Sequence, residues 1–457
     1  MIAIVTPAEM AAIDAAASEP MHLLIERAGS QVARRARSML GGVYGRRVTV
    51  LAGPGNNGAD GRVAARLLES WGVRVNVVEP NAPAVPRCDL VIDAAFGTGM
   101  NRPYVAPALP ADAMVLAIDI PSGIDGLTGV ALGEPLRADH TITFAALKPG
   151  LLLGAGPEFC GTVEVSDIGL DTSSASRWLF ARENAQACYP QRLSTDHKWK
   201  HAVWVIGGSN GMTGAPVLAA QAAQRAGSGM VRCSLPGVEA PILANEVVFH
   251  SLPSDNWQEQ VLVEQERFGA LVVGPGLGRS ESARHALKQL VAASGKPLVI
   301  DADALHLLDD ATFADLHSNV VLTPHDGEFE ALAGHRPEPD RFASVTELAA
   351  RTGATVLLKG PTTIVASPAG RCLAVAHGDE RLATAGTGDV LAGAIGAYLA
   401  AGMVSDDAAA LGAWIHAEAG HTQSRFGMVA TDLIDGLAQA TRELNEPTQD
   451  GVVNASN

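Results

Sequence analysis

The sequence predicts two α/β domains in series, each a mostly parallel β-sheet with helices on both faces. Length is the first reason, since 457 residues exceed what one ordinary core organises. The second is pattern: short apolar runs alternate with helical segments, the alternation lapses into a polar stretch, and a second alternating series follows. The third is composition. Forty-eight glycines with only 4% aromatic residues suit tightly packed layers and short turns, while 47% hydrophobic against 18% charged residues argues against disorder.

In the first series, strands are expected at Arg47–Gly53, Val73–Glu79, Asp89–Phe96, Ala113–Ile120, Thr141–Leu147 and Gly161–Ile168. A helix is expected from Asp60 to Ser70, with Val63 and Leu67 on its apolar face. The polar stretch Asp171–His197 places a domain boundary near residue 190, giving domains 1–190 and 191–457. The second series predicts strands at Ala202–Gly208, Met230–Leu235, Ala270–Gly276, Lys296–Asp303, Asn319–His325 and Ala354–Gly360. A hairpin follows in TTIVASPAGRCLAV, where Ser-Pro-Ala-Gly supplies the turn. Two Ala-rich helices, roughly Thr387–Ala401 and Asp406–Arg425, come next, and the residues from about Asn445 read as a frayed tail.

A formal net charge of −16 gives no positive field to gather nucleic acid, so anionic ligands must be held by local devices. The five cysteines (Cys88, Cys160, Cys188, Cys233, Cys372) form no CxxC pair, so neither a zinc site nor a disulfide framework is suggested. The N-terminus has no basic segment and places Glu9 and Asp14 where a signal peptide would be apolar. The longest uncharged run, Val390–Ser405, is about one turn short of a membrane span and reads as a buried helix. A cytoplasmic protein without a membrane or nucleic-acid partner is expected.

Ligands of parallel sheets sit beyond the carboxyl ends of the strands, so the polar residues there are the candidates. GPGNNGADG (Gly53–Gly61) is one such strand-to-helix turn, able to bring backbone N–H groups to a phosphate, although Asn-Asn-Gly is also ordinary turn chemistry. FGTGMNRP (Phe96–Pro103), DIPSGIDGLTG (Asp119–Gly129) and TFAALKPG (Thr143–Gly150) lie at the same expected edge. Together with EMAAIDAAA and LLIERAG, these segments make the first half resemble the NAD(P)H-hydrate epimerase domain, a Rossmann-like three-layer αβα fold. The resemblance implies that Asn56, Asn57, Gly58, Ala59 and Asp60, with Gly97, Thr98, Gly99, Met100, Asn101, Arg102 and Pro103, hold the damaged dinucleotide. It also implies K⁺ held by Asn57, Asp93 and Ser122, all oxygen donors, and contact of Asp119 with the substrate near the reacting carbon. Asp119 is the first candidate for acid–base work, with Lys148 and Asp60 behind it; Lys148 also reads as an ordinary solvated lysine. The family pattern NNGGDG is broken here by Ala59, which costs about 1 kcal/mol if that position needs φ > 0.

In the second half, ATAGTGDVLAG (Ala383–Gly393) sets Gly386, Thr387 and Gly388 before a long helix, where free N–H groups form an anion hole. Asp389 lies in the first turn, placed either as a base on a substrate hydroxyl or as a plain helix cap. ATVLLKGPTT, VVGPGLG, IDADAL and VLTPHDGEFEAL end further strands; His325 reads either as a ligand or as part of a helix start capped by Thr323 with Pro324 at N1. With SNGMTGAPVLAAQAAQRAGSGMV, these motifs resemble the ribokinase-like superfamily and, within it, the ADP-dependent NAD(P)H-hydrate dehydratases. That resemblance implies that Ala215, Gly276 and His325 contact the hydrated nucleotide. It gives the adenine nucleotide, ADP or ATP with Mg²⁺, to Lys359, Gly360, Pro361, Thr362, Thr363 and Gly388. Asp389 would deprotonate the C6 hydroxyl of the S hydrate. The substrates implied are NADHX and NADPHX, and a homo-oligomer is expected. The competing reading is a small-molecule kinase of the same superfamily with a non-catalytic N-terminal dinucleotide-binding module.

Overall fold

The computed structural model describes residues 1–238 and 246–446. The tail expected after Asn445 lies, beyond Glu446, outside them. The chain divides into two compact units, one formed by Ile2–Trp178 and one beginning at Leu179.

In the first unit six strands lie side by side in the order Arg74–Val78, Arg47–Ala52, Leu90–Ala94, Met114–Ile118, His140–Phe144, Thr162–Ser166, all parallel. Each expected strand is present, most of them shorter than expected; the one expected at Thr141–Leu147 starts a residue earlier, at His140, and ends at Phe144. Leu90–Ala94 and His140–Phe144 are buried at every position, as strands covered on both faces must be. The chain leaves Arg47–Ala52 towards one edge and returns on its other side as Leu90–Ala94, so the order reverses between these two strands. Helices Met21–Met39 and Asn56–Ser70 pack together over Val48, Val50, Leu90 and Ile92. Their approach requires Gly29, where a Cβ would stand 2.5 Å from Val63 Cβ.

The second of these helices begins four residues earlier than Asp60, at Asn56, with Gly55 as its extended N-cap. Asn-Asn-Gly is therefore a first helical turn and not a loop. Ala59 is helical, its N–H donating to Gly55 O at 3.1 Å, and it is absent from the positive-φ residues. The strain considered for Ala59 does not arise, because a helical φ suits alanine better than glycine.

The second unit carries strands in the order Cys372–Val375, Thr363–Ala366, Thr355–Leu358, Val320–Leu322, Leu298–Ile300, Ala270–Val273, Val203–Ile206, Val231–Ser234, Val248–Phe249. The first two junctions are antiparallel, the expected hairpin among them, and the rest are parallel. Val248–Phe249, only two residues long, was too short to leave a sequence pattern. Helix Thr387–Ala400 is buried along nearly its whole length, and the turn after it leads into helix Ser405–His421. Among the described residues no helix is long and apolar enough to cross a membrane.

The boundary expected near residue 190 compares with a division at Trp178/Leu179. Helix Arg182–Cys188 goes with the second unit because its side chains reach the end of helix Ala430–Asn445: Arg182 binds Glu443 O, and Gln186 Nε2 donates to Leu444 O at 2.7 Å. Polar surface residues hid that attachment from the sequence pattern.

Helix Thr387–Ala400 also meets helix Gly214–Arg225 closely enough that a Cβ on Gly393 would stand 2.0 Å from Ala219 O. Gly393→Ala should therefore destabilise the second unit by about 1–3 kcal/mol, read as a lower urea midpoint of its unfolding transition. An unchanged midpoint would mean that the helices are not in backbone contact.

Candidate active sites

The reversal of strand order in the first unit opens a cavity of about 600 Å³. Of the residues expected to bind, Asn56, Asn57, Asp60, the run Gly97–Arg102, Asp119 and Lys148 line it; Gly58, Ala59 and Pro103 do not. Gly58 acts from behind, where a Cβ would stand 1.9 Å from Gly53 O, so only glycine lets the helix start under the loop. Leu24, Ile25 and Ile168 give the cavity an apolar wall. Ala59 donates to Gly55 O, whereas among the described residues the N–H groups of Asn56, Asn57 and Gly58 have no backbone acceptor. Such N–H groups give a helix N-terminus a partial positive charge.

Lys148 is 1% exposed and ion-paired with Asp119. Its ammonium also donates to Thr143 Oγ1 at 2.8 Å and to the carbonyls of Phe144 and Ala146 at 3.2 Å. The reading of Lys148 as an ordinary solvated lysine is thereby overturned: the left-handed Ala145 (φ 61°) folds the chain back on itself and buries the side chain. Asp119, itself left-handed at φ 67°, accepts from Thr143 Oγ1 at 2.9 Å. Strained non-glycine residues of this kind persist where the surroundings over-determine them.

Asp60 is buried, and burial, then repulsion from Asp119 and Asp14, pushes its carboxyl up to about 8. Burial also raises Asp14, opposed by Lys148 and reinforced by Asp119. Asp14 and Thr143 were passed over in the sequence although both lie in its recognised segments.

Asp93 and Ser122 come together: the carboxylate accepts from Ser122 N at 2.8 Å and Ser122 Oγ at 2.6 Å, and Phe96 O lies 3.0 Å from that hydroxyl. Burial raises the Asp93 carboxyl, and among the described residues no basic side chain pairs with it. Asn57 Nδ2 donates to Ile118 O at 2.8 Å, and Asn57 Oδ1 faces Gly97, where a Cβ would stand 2.6 Å from it.

In the second unit, Gly386 (φ 89°) is the N-cap of helix Thr387–Ala400 and Asp389 makes no capping bond, so the plain-cap reading of Asp389 fails. Thr387 N–H donates to Thr384 O at 3.3 Å; among the described residues the N–H groups of Gly386, Gly388 and Asp389 have no backbone acceptor. The run of N–H groups without a backbone acceptor thus differs from the expected Gly386–Gly388: Thr387 closes the turn and Asp389 takes its place. His416, buried and held by burial at a pKa of about 4, binds Thr387 O at 2.9 Å as a neutral N–H donor and fixes that turn.

A Cβ on Gly388 would lie 3.4 Å from Lys359 Nζ, so the ammonium stands over the helix start. Lys359 pairs with Asp301 at 2.6 Å and Glu328 at 3.7 Å, and these carboxylates hold its pKa up against burial. Burial, then the charges of Asp301, Glu328 and Asp303 against Lys359, lifts the Asp389 carboxyl to about 7. Asp301, Asp303 and Glu328 were not singled out from the sequence, though each sits in a recognised motif. Thr323 does not cap a helix; its hydroxyl binds Asp301 Oδ1 at 2.7 Å. His325 is the cap instead, its Nδ1 accepting from Gly327 N at 2.9 Å and Glu328 N at 3.3 Å, with its ring largely exposed.

Gly276 (φ 62°) and Ala215 are neighbours, a Cβ on the first lying 3.4 Å from Ala215 Cβ. Gly278 N–H bonds Asp303 at 3.0 Å and links that loop to the carboxylate group. Gly360–Thr362 form the turn between strands Thr355–Leu358 and Thr363–Ala366, and Thr363 Oγ1 donates to Gly360 O at 3.3 Å.

Comparison with known proteins agrees with this division. Residues 203–439 match the NAD(P)H-hydrate dehydratase family, and residues 21–85 and 78–150 match the YjeF-related protein N-terminus. The bifunctional NAD(P)H-hydrate repair enzyme Nnr of Moorella thermoacetica is 34% identical, with 98% of each chain covered. That of Mycobacterium tuberculosis is 38% identical over 86% of this chain and 88% of its own. Among solved structures, the ADP/ATP-dependent NAD(P)H-hydrate dehydratase of Bacillus subtilis, co-crystallised with ATP and Mg²⁺, superposes with a TM-score of 0.50 at 26% identity, covering 58% of this chain and 98% of its own. A ribokinase-like superfamily protein of Enterococcus faecalis shares the fold, with a TM-score of 0.52 at 23% identity over 60% of this chain and 98% of its own. The chain belongs to the family of bifunctional NAD(P)H-hydrate repair enzymes.

Proposed function

We propose that the chain repairs hydrated NADH and NADPH, interconverting their R and S epimers in the first unit and dehydrating the S form at the expense of ADP in the second. The observation that carries the second activity is Asp389, a carboxylate lifted to about 7 beside free helix N–H groups and Lys359. A group so poised takes the C6 hydroxyl proton while the oxygen attacks the terminal phosphorus of the nucleotide. Gly386, Gly388 and Asp389 N–H groups receive the charge of the transferring phosphoryl. The phosphate then leaves C6 and a proton leaves C5, which restores the dihydronicotinamide ring.

The loop Lys359–Thr363 holds the adenine nucleotide, while Ala215, Gly276 and His325 face the hydrate. Three carboxylates, Asp301, Glu328 and Asp389, share the single ammonium of Lys359, an excess of negative charge that suits Mg²⁺. Asp301 and Glu328 would hold that ion, which neutralises the phosphates.

In the first unit, the N–H groups of Asn56 to Gly58 and the run Gly97–Arg102 grip the dinucleotide. Asp119, ion-paired with Lys148, serves as base at the hydroxylated carbon, and Asp60, protonated below about 8, serves as acid. A wholly buried Asp93 without a basic partner fits K⁺, with Ser122 and Asn57 Oδ1 completing an oxygen set that holds the loops under the phosphates.

The test is recovery of NADH absorbance from mixed R and S NADHX with ADP and Mg²⁺. Recovery beyond the S fraction, faster than spontaneous epimerisation, is expected. Recovery halting at the S fraction would remove the epimerase, and none with ADP or ATP would favour the kinase reading.

Asp389→Asn should lower dehydration by at least about 100-fold while nucleotide binding persists; undiminished turnover would discard Asp389 as base. Asp119→Ala should slow epimer interconversion and leave dehydration of pure S hydrate intact. The kcat/KM of epimerisation should fall as pH rises through about 8, because Asp60 then loses the proton it donates. Asp60→Asn should remove that alkaline limb; a limb that survives in the variant belongs to another group.

A further inference from the structure

Away from the carboxylate group around Lys359, the second unit assembles His377, Glu418 and His421, one donor atom of each lying within 4.8 Å of the others. Glu418 and His421 stand three residues apart on helix Ser405–His421, the spacing that aims both side chains the same way, and His377 follows strand Cys372–Val375 opposite them. His377 Nε2 is 2.6 Å from Glu418 Oε2, and His421 Nδ1 is 4.0 Å from the same oxygen. All three side chains are about four-fifths buried or nearly so, at 19%, 18% and 26% exposed.

We infer that His377, Glu418 and His421 form a binding site for a divalent transition-metal ion of the zinc type. Two imidazoles with one carboxylate suit Zn²⁺ and select against Mg²⁺. Donors about 2.0–2.2 Å from zinc stand roughly 3.3 Å apart, so the observed spacing needs shifts below about 1 Å. The outer contacts are those of a ligating histidine as well. With Nδ1 towards the ion, His421 Nε2 lies 3.3 Å from Asp379 Oδ2, and Asp379 is in turn clasped by Arg381. A carboxylate on the far ring nitrogen fixes the tautomer that a metal needs. His377 is aligned by stacking on Trp414, with ring centroids 5.4 Å apart and planes 4° from parallel. Three protein ligands leave one position open to water.

The ion would tie the segment carrying His377 to the end of the helix. The neighbouring Gly378 lies against the 360–363 turn, where a Cβ would stand 3.1 Å from Pro361 O. The inference rests on these side chains alone and does not depend on the reaction assigned to the unit.

The test uses the full chain, stripped with a chelator and titrated with ZnCl₂ against a chromophoric competitor, and separately with CoCl₂. One tight equivalent is expected, with the intense visible band of four-coordinate Co²⁺, undisturbed by excess MgCl₂. His377→Gln and His421→Gln should each lose that equivalent, and Asp379→Asn should weaken it about 10–100-fold. In the unmutated chain Zn²⁺ should also change Trp414 emission, read as the difference from Trp414→Phe. Absence of a tight equivalent in the unmutated chain, or the same number of equivalents in both histidine variants, would overturn the site.

Discussion

A parallel strand cannot be joined to its neighbour by a tight turn; the chain must cross a face of the sheet and begin again at the far edge. Much of the layout of both candidate sites follows from that constraint. The crossings bury both faces, which is why Leu90–Ala94 and Val203–Ile206 are buried at every position. They also leave the carboxyl ends of a unit's parallel strands on one edge, and the polar segments 53–61, 95–103, 119–129 and 145–148 accumulate there. The same holds for 274–278, 301–307 and 323–328 in the second unit.

Backbone approach sets how tightly those loops close. Gly58 and Gly53 meet where no Cβ fits, and Gly393 meets Ala219 O in the same manner. The first contact seats the start of helix Asn56–Ser70 and the second seats helix Thr387–Ala400 on helix Gly214–Arg225; among the described residues the N–H groups of Asn56–Gly58 and of Gly386, Gly388 and Asp389 have no backbone acceptor. Main chain held in place by glycine packing thus offers local positive ends in a chain of net charge −16.

Each site also contains one lysine set among several carboxylates. Lys148 is enclosed by Asp119, Thr143 and two carbonyls, whereas Lys359 is shared by Asp301 and Glu328. Burial with like charges nearby then separates the carboxyls: Asp60 goes up to about 8 and Asp389 to about 7, while Asp326, clasped by Arg341, is driven down. Groups displaced in this way near neutrality are the ones able to exchange protons with a substrate. Asp326 has the role of a helix-end ion pair.

The sequence by itself determined the two α/β units, nearly all their strands, and the loops that carry the chemistry, because apolar periodicity and glycine punctuation are local properties. Asp119, Asp389, Lys148 and Lys359 were singled out for the same reason, each lying in a glycine-punctuated motif. Tertiary structure alone decided what depends on neighbours remote in the chain. It turned Asn-Asn-Gly and Ala59 into a first helical turn, made His325 a cap in place of Thr323, and left Asp389 N–H, in place of Thr387 N–H, without a backbone acceptor among the described residues. It also gathered Asp14, Asp301, Glu328 and His416 into the sites, and His377, Glu418 and His421 into a cluster of their own. Spacing along a chain records which face a residue occupies; which distant residue shares that face is fixed only when the sheets and helices have packed.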